Sequence, residues 1–363
     1  MRCSKAQFKK IFIHLLKNKW ALPTCFDKIE GTVLFILLFV FVVCTFLLFE
    51  FFIRAGVEKM EITLKAYGKI NLSIDVLGKR PDGYHEVCMV MQMIDLWDRI
   101  KVRIIHGSNP QSIQITTDCR DLPPDKRNLA YRAAELMLSR YGGVEKGGIG
   151  IHLEKKIPMA AGLAGGSGDG AAVLHALNKL WDLRLPLSEL MDLGVKLGAD
   201  VPFCLMGQGA LEPVSRFTKG HASTCALATG IGEKLVPLSP IDAWVVLSKP
   251  PISVSTKEVY EALNLETITK RPNTGDLVQG LKEADFDKIS KNMYNVLENV
   301  SEIRYPPIVY TKNIIQSDKG RHQTMMSGSG PTVFAITPDF SVAERIYNKI
   351  KKVNDETFLV ETL

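Results

Sequence analysis

Along this chain the apolar residues change period several times, and each change marks an element. Ile149, Ile151 and Leu153 alternate with Gly150, His152 and Glu154, the two-residue period of a half-buried strand. From Ala171 to Trp181 the apolar spacing is helical. Between the two lies Pro158-Met-Ala-Ala-Gly-Leu-Ala-Gly-Gly-Ser-Gly-Asp-Gly170. The order is therefore strand, glycine-rich loop, helix. A loop nearly free of side chains lets backbone N–H groups converge on an anion, and a helix N-terminus adds about half a positive charge. The stretch is neither a Walker loop, since no Gly-Lys-Ser/Thr ends it, nor GxGxxG.

The same reading places the other elements. Ile70, Leu72, Ile74 and Val76 predict a strand with one buried face, so that Lys69 and Asn71 share the opposite face. A Pro-Asp-Gly loop at 78–83 leads into Tyr84-His85. Strands follow at 87–94 and 100–105, and a helix at 129–141 is closed by Gly142-Gly143. A helix over 187–197 takes Ser188 as N-cap and Gly198 as stop. Asp200 then falls just past a helix end, ahead of Pro202. Residues 207–225 show no period and predict a surface loop. Beyond it come a strand at 244–249, helices at 256–263, 274–284 and 289–297, and a turn at 327–331. A strand at 332–336, a helix at 342–353 and a strand at 358–362 complete the chain.

Composition narrows the function classes. At 363 residues there is room for two domains, and 46% hydrophobic with 23% charged residues is ordinary for a globular protein. The net charge of +6 is mild and forms no basic stripe with interleaved aromatics, which argues against nucleic acid. Seven scattered cysteines, none in a CxxC pair, suggest neither a disulfide framework nor a zinc site, and fit a reducing compartment.

Residues 1–59 differ from the rest. Val33–Phe49 is an apolar run of marginal membrane-spanning length, preceded by Arg2, Lys5, Lys9, Lys10, Lys17, Lys19 and Lys28. A genuine anchor would export everything after Arg54, away from nucleotide. The expectation is that residues 1–59 are a spurious upstream extension, that the working protein begins at Met60 and is cytoplasmic, and that membrane contact arises only if residues 31–53 are expressed.

Lys69/Asn71, Tyr84/His85, the 158–170 loop and Asp200 are each unremarkable alone. Together they are specific. Pro158–Ser167 resembles the phosphate loop of the GHMP kinases. Tyr67-Gly-Lys-Ile-Asn-Leu72, Arg80-Pro-Asp-Gly-Tyr-His85, Leu197-Gly-Ala-Asp-Val-Pro-Phe203 and Met326-Ser-Gly-Ser-Gly-Pro-Thr-Val-Phe334 resemble, in order, the 4-diphosphocytidyl-2-C-methyl-D-erythritol kinases of the non-mevalonate isoprenoid pathway. The resemblance covers the chain from Met60 onward. It implies a two-domain α/β (α+β) fold, 60–235 carrying the phosphate loop and 236–363 forming the C-terminal domain.

The resemblance also implies ATP with Mg²⁺, and a small-molecule cytidine diphosphate substrate phosphorylated at its C2 hydroxyl. It assigns Asp200 as base and Lys69 as its catalytic partner. ATP phosphates would lie on Pro158, Met159, Ala160, Ala161, Gly162, Leu163, Ala164, Gly165, Gly166, Ser167 and Gly168. Tyr84 would stack on cytosine, His85 would bond its polar edge, and Asn71 would place the erythritol arm. Two departures stand out. Gly168 and Gly170 replace a serine and an alanine of the family loop, putting metal contacts in doubt, and residues from about Gln208 to Cys225 look inserted. The alternatives are another GHMP small-molecule kinase, such as mevalonate kinase, or a non-catalytic ligand-binding relative. Mass spectrometry of the native protein is expected to find Met60 at its N-terminus; peptides from residues 1–59 would contradict that expectation.

Overall fold

The two longest strands form the spine of the molecule. β1 (Glu61–Lys79) and β2 (His85–Ile105) pair antiparallel along almost their whole length. The computed structural model describes residues 61–105, 109, 111–142, 147–212 and 222–363, all within one compact unit, Lys59–Leu363. The apolar run at 33–49 lies outside the described residues. Among the described residues no helix is long and apolar enough to cross a membrane.

Both strands are longer than the pattern predicts. The expected strands at 87–94 and 100–105 are one: Trp97 faces Tyr67 and Ile94 faces Gly68, so Asp95 and Leu96 bulge without breaking the ladder. β1 is also buried on both faces, not one, and Lys69, Asn71 and Ser73 are as enclosed as their apolar neighbours. A further register shift between Asn71 and Ser73 splits the alternating set. Ile70 and Leu72 pack with Leu247 and Phe334, whereas Ile74 and Val76 join the larger core with Met91 and Leu174.

β3 (Ile113–Thr117), β4 (Gly148–Glu154), β5 (Cys225–Gly230), β6 (Lys234–Leu238) and β8 (Tyr294–Asn295) complete the first sheet. Its order is β3-β4-β2-β1-β8, with β5 on β2 and β6 on β5; the β3–β4 and β1–β8 pairs are parallel. The second sheet, β11-β7-β10-β9, is antiparallel throughout, from β7 (Trp244–Lys249), β9 (Gln323–Met326), β10 (Val333–Thr337) and β11 (Glu356–Glu361). This is an α+β molecule with one mixed and one antiparallel sheet.

Four helices pack around the first sheet: α1 (Leu129–Tyr141), α2 (Gly165–Leu180), α3 (Leu187–Val195) and α4 (Val201–Leu211). α2 is central, and Val173, Leu174 and Leu177 are each fully buried, worth about 2 kcal/mol apiece. It starts six residues before the predicted Ala171. The glycines are poor helix formers, but they let the first turns lie close against β1: a Cβ on Gly168 would come within 3.1 Å of the Tyr67 carbonyl oxygen.

Other boundaries differ too. α3 starts after Pro186 with no side-chain cap, so Ser188 lies inside the helix. α4 and β5 absorb both ends of the expected 207–225 loop, and residues 213–221 lie outside the described residues. The expected helix over 289–297 is instead the end of α7 (Phe286–Asn292), then β8, then the approach to α8 (Glu298–Arg304). α5 (Thr256–Ala262), α6 (Thr274–Glu283) and α10 (Phe340–Ile350) match their predicted positions closely. α9 (Pro306–Gln316) was not foreseen; it starts on two prolines and buries Ile308, Thr311 and Ile315.

Gly170, inside α2, has room for a methyl group, the nearest atom to a Cβ being the Leu129 carbonyl oxygen at 3.4 Å. Gly170→Ala is expected to raise stability by about 1 kcal/mol through helix propensity, measured by denaturant unfolding; a loss of stability would contradict the packing described.

Candidate active site

The strand–loop–helix unit supplies an anion cradle. Residues 158–164 leave β4 and turn through left-handed conformations at Ala160 (φ 50), Gly162 (φ 75) and Ala164 (φ 57) before α2 begins. Ala164 occupies the N-cap position and offers no side-chain oxygen, so the N–H groups of the first turn are left for a ligand. Left-handed alanine is strained by about 1–2 kcal/mol, whereas Gly162 is required. A Cβ there would lie 2.2 Å from the Ser327 carbonyl oxygen.

At Gly162 the loop meets the middle of β1. Lys69 Nζ donates to Asn71 Oδ1 at 2.7 Å and to the Gly162 carbonyl at 3.1 Å, and it lies 3.6 Å from Asp200 Oδ2. Ser327 Oγ donates to the same Gly162 carbonyl at 3.0 Å, and Gly328 N–H donates to Asn71 Oδ1 at 3.1 Å. The turn between β9 and β10 thus locks onto both the loop and β1. Asp200 sits at the N-cap position of α4 with helical backbone angles and makes no cap hydrogen bond. Its carboxylate is left to face Lys69 instead, with its side chain 31% exposed to the cleft.

The cleft has a volume of about 920 Å³. Lys69, Asn71, Tyr84, His85 and Asp200 all line it, as does the loop from Pro158 to Ser167. Gly168 does not. It is buried against β1, and a Cβ there would lie 3.1 Å from the Tyr67 carbonyl oxygen. Asn71 is less free than expected, because Lys69 and Gly328 already occupy its side-chain oxygen.

Tyr84 is 59% exposed at the rim. The His85 ring lies 5.3 Å from that of Tyr260, and burial, then Lys79, lower its pKa, leaving a neutral imidazole with one donor and one acceptor. Tyr260, on α5, was missed by the sequence reading; burial and then the Asp200 charge raise its hydroxyl pKa. Nothing in the helical period of α5 distinguishes that tyrosine, and only the fold brings it to the cleft. Lys155 was missed as well; it and Asp169, which falls within the expected 158–170 loop, line the cleft on the side of the α2 N-terminus.

Residues 128–208 match the GHMP kinases N terminal domain and residues 277–356 the GHMP kinases C terminal domain. The 4-diphosphocytidyl-2-C-methyl-D-erythritol kinase of Alkaliphilus metalliredigens (strain QYMF) is 45% identical over 303 residues, covering 83% of this chain and 97% of that protein. The chain belongs to this kinase family. The namesake from Clostridium botulinum (strain Eklund 17B / Type B) is also 45% identical, over 83% of this chain and all of that protein. A crystal structure of 4-(cytidine 5'-diphospho)-2C-methyl-D-erythritol kinase superposes with a TM-score of 0.66 at 29% identity, over 83% of this chain and 99% of that one. Homoserine kinase from Cytophaga hutchinsonii, at 20% identity and a TM-score of 0.62 over 84% of this chain and 95% of that one, shares the fold.

Gly162→Ala is expected to cost at least about 2 kcal/mol, from the left-handed backbone and the clash with Ser327, read as a fall in the unfolding midpoint. Unchanged stability would mean that the two turns do not interlock as described.

Proposed function

We propose that this kinase transfers the γ-phosphoryl group of ATP to the C2 hydroxyl of 4-diphosphocytidyl-2-C-methyl-D-erythritol, a step of the non-mevalonate route to isoprenoid precursors. The observation that carries the reading is the Lys69–Asp200 pair, 3.6 Å apart, beside Gly162 of the phosphate loop. Residues 60–235 and 236–363 are read as the N-terminal and C-terminal domains of the kinase.

Phosphoryl transfer to an alcohol needs a placed hydroxyl, an acceptor for its proton, and positive charge or dipoles around the γ-phosphate. Asp200 accepts the proton while the hydroxyl oxygen bonds to phosphorus and the bond to the β-phosphate oxygen breaks, releasing ADP. Lys69, held by Asn71 and the Gly162 carbonyl, offers its remaining charge to the transferring group. The N–H groups of the loop and of the first turn of α2 hold the phosphates. Among the described residues no group of three His, Cys, Asp or Glu side chains could hold a metal by itself. That donor set does not fit a resident ion, and Mg²⁺ would arrive with the triphosphate, as part of the Mg·ATP substrate.

Tyr84 offers a face to cytosine and His85 bonds its polar edge, with Tyr260 closing the pocket behind His85. Binding energy from the base, remote from the chemistry, then orients the hydroxyl. A mevalonate kinase reading is not favoured: the Methanococcus jannaschii mevalonate kinase matches at 14% identity, which speaks to the fold alone. The paired lysine and aspartate argue against a non-catalytic relative.

Asp200→Asn is expected to lower kcat at least about 10³-fold, with substrate affinity kept in calorimetry. Near-normal turnover would remove Asp200 as the base. In the same assay Tyr84→Ala is expected to raise KM for the cytidine substrate roughly tenfold with little change in kcat; a fall in kcat alone would place Tyr84 elsewhere in the mechanism.

A further inference from the structure

Against the phosphate loop lies a buried cluster that the reaction above does not use. Asp98 of β2, Lys155 just past β4 and Asp169 in α2 have side chains 0%, 7% and 1% exposed. Lys155 Nζ donates to Asp98 Oδ2 and, at 2.6 Å, to Asp169 Oδ2. Asp98 Oδ1 accepts the backbone N–H groups of Lys156 at 2.6 Å and Ile157 at 2.9 Å. The start of the 158–164 loop is therefore fixed through Asp98 and its finish through Asp169, with Lys155 between them. Lys155 and Asp169 also line the cleft.

The charges of this cluster do not balance. Two carboxylates face one ammonium, so with all three ionised it carries a net charge of −1 where water screens little. Asp169 Oδ1 has no hydrogen-bond partner and is sealed from solvent, a costly state for a charged oxygen. The charged and titratable groups facing Asp169 are Lys155, Asp98 and the Cys204 thiol of α4. Burial, followed by the Asp200 charge, raises the Cys204 pKa, so that thiol stays neutral. Burial also pushes the Asp169 carboxyl up to about 7, against the pull of Lys155. A triphosphate arriving on the loop adds further negative charge beside it, and so favours a proton on Asp169.

We propose that the Asp98–Lys155–Asp169 cluster positions the nucleotide, bracing both ends of the phosphate loop, and that Asp169 takes up a proton when the triphosphate binds. This rests on the reading that ATP occupies the loop. The sign follows from linkage. Well below pH 7 Asp169 already holds its proton and binding needs none. As pH rises above 7, binding must draw the proton from solvent, and affinity falls until the pKa of the bound state is passed.

Calorimetric titration with the β,γ-imido analogue of ATP and Mg²⁺, at pH 7.5 in buffers of different ionisation enthalpy, counts the protons. Asp169→Asn keeps an oxygen for Lys155 and cannot titrate. Wild-type protein is expected to take up about half to three quarters of a proton more than this variant. Its Kd, unlike that of the variant, is expected to rise roughly tenfold from pH 6.5 to 8.5. If the variant does not fold, the wild-type count corrected for ionisation of the free analogue carries the test. Equal uptake in both proteins, or none in the wild type, would overturn the proposal while leaving the kinase reading intact. Failure of the analogue to bind the wild type at all would overturn the kinase reading beneath it.

Discussion

One carbonyl oxygen, that of Gly162, joins three parts of the chain that are remote in sequence. It accepts the Lys69 ammonium from β1 and the Ser327 hydroxyl from the turn after β9, at 3.1 and 3.0 Å. A hydrogen bond from a charged donor is roughly twice as strong as a neutral one, and both lie where solvent competes poorly. The left-handed backbone of residue 162 turns its carbonyl toward both donors, which only glycine allows with Ser327 so close. The glycine-rich loop is thereby indexed to Lys69, the lysine proposed to act on the transferring group.

The same economy explains the polar face of β1. Burying a lysine without partners is expensive, and Lys69 is enclosed among oxygens: the Asn71 side chain, the Gly162 carbonyl and the nearby Asp200 carboxylate. Asn71 in turn accepts from Gly328, so the turn between β9 and β10 is registered on the strand as well as on the loop. Asn295, whose side chain donates to the carbonyls of Met326 and Gly328, braces that turn from β8, at the edge of the first sheet. Lys69 and Asn71 thus line the cleft and also complete hydrogen bonds that tie β1 to the loop and to the turn.

Much of this was legible in the sequence because the signals were local. The alternation before Pro158, the glycines after it, the helix over 129–141 and the strand over 244–249 depend on neighbours a few residues away. What was not legible depended on contacts between distant segments. The glycines of α2 read as loop because propensity alone disfavours them in a helix, and only the close approach to Tyr67 explains them. The alternation at 70–76 implied a solvated face, because nothing in it announced that the 327–330 turn would cover Asn71. Asp200 was found by resemblance and not by period; its unused N-cap position becomes visible only once α4 is seen to start at Val201. Tyr260 and Lys155 carried no signal of their own.

On the proposed mechanism, α4 itself has a bearing on substrate choice. Asp200 stands at one end of it, and near the other Gln208 donates to the Gly168 carbonyl of α2 at 2.9 Å. Eight residues of helix amount to a rod of roughly 12 Å, so Asp200 and the Gly168 carbonyl of α2 are held apart at a set interval. With Asp200 as the proposed base, an alcohol whose arm is one carbon too long or too short would present its oxygen off the line of attack. Such a compound could still dock its base in full, and would be rejected by arithmetic of length and not by any clash with the walls.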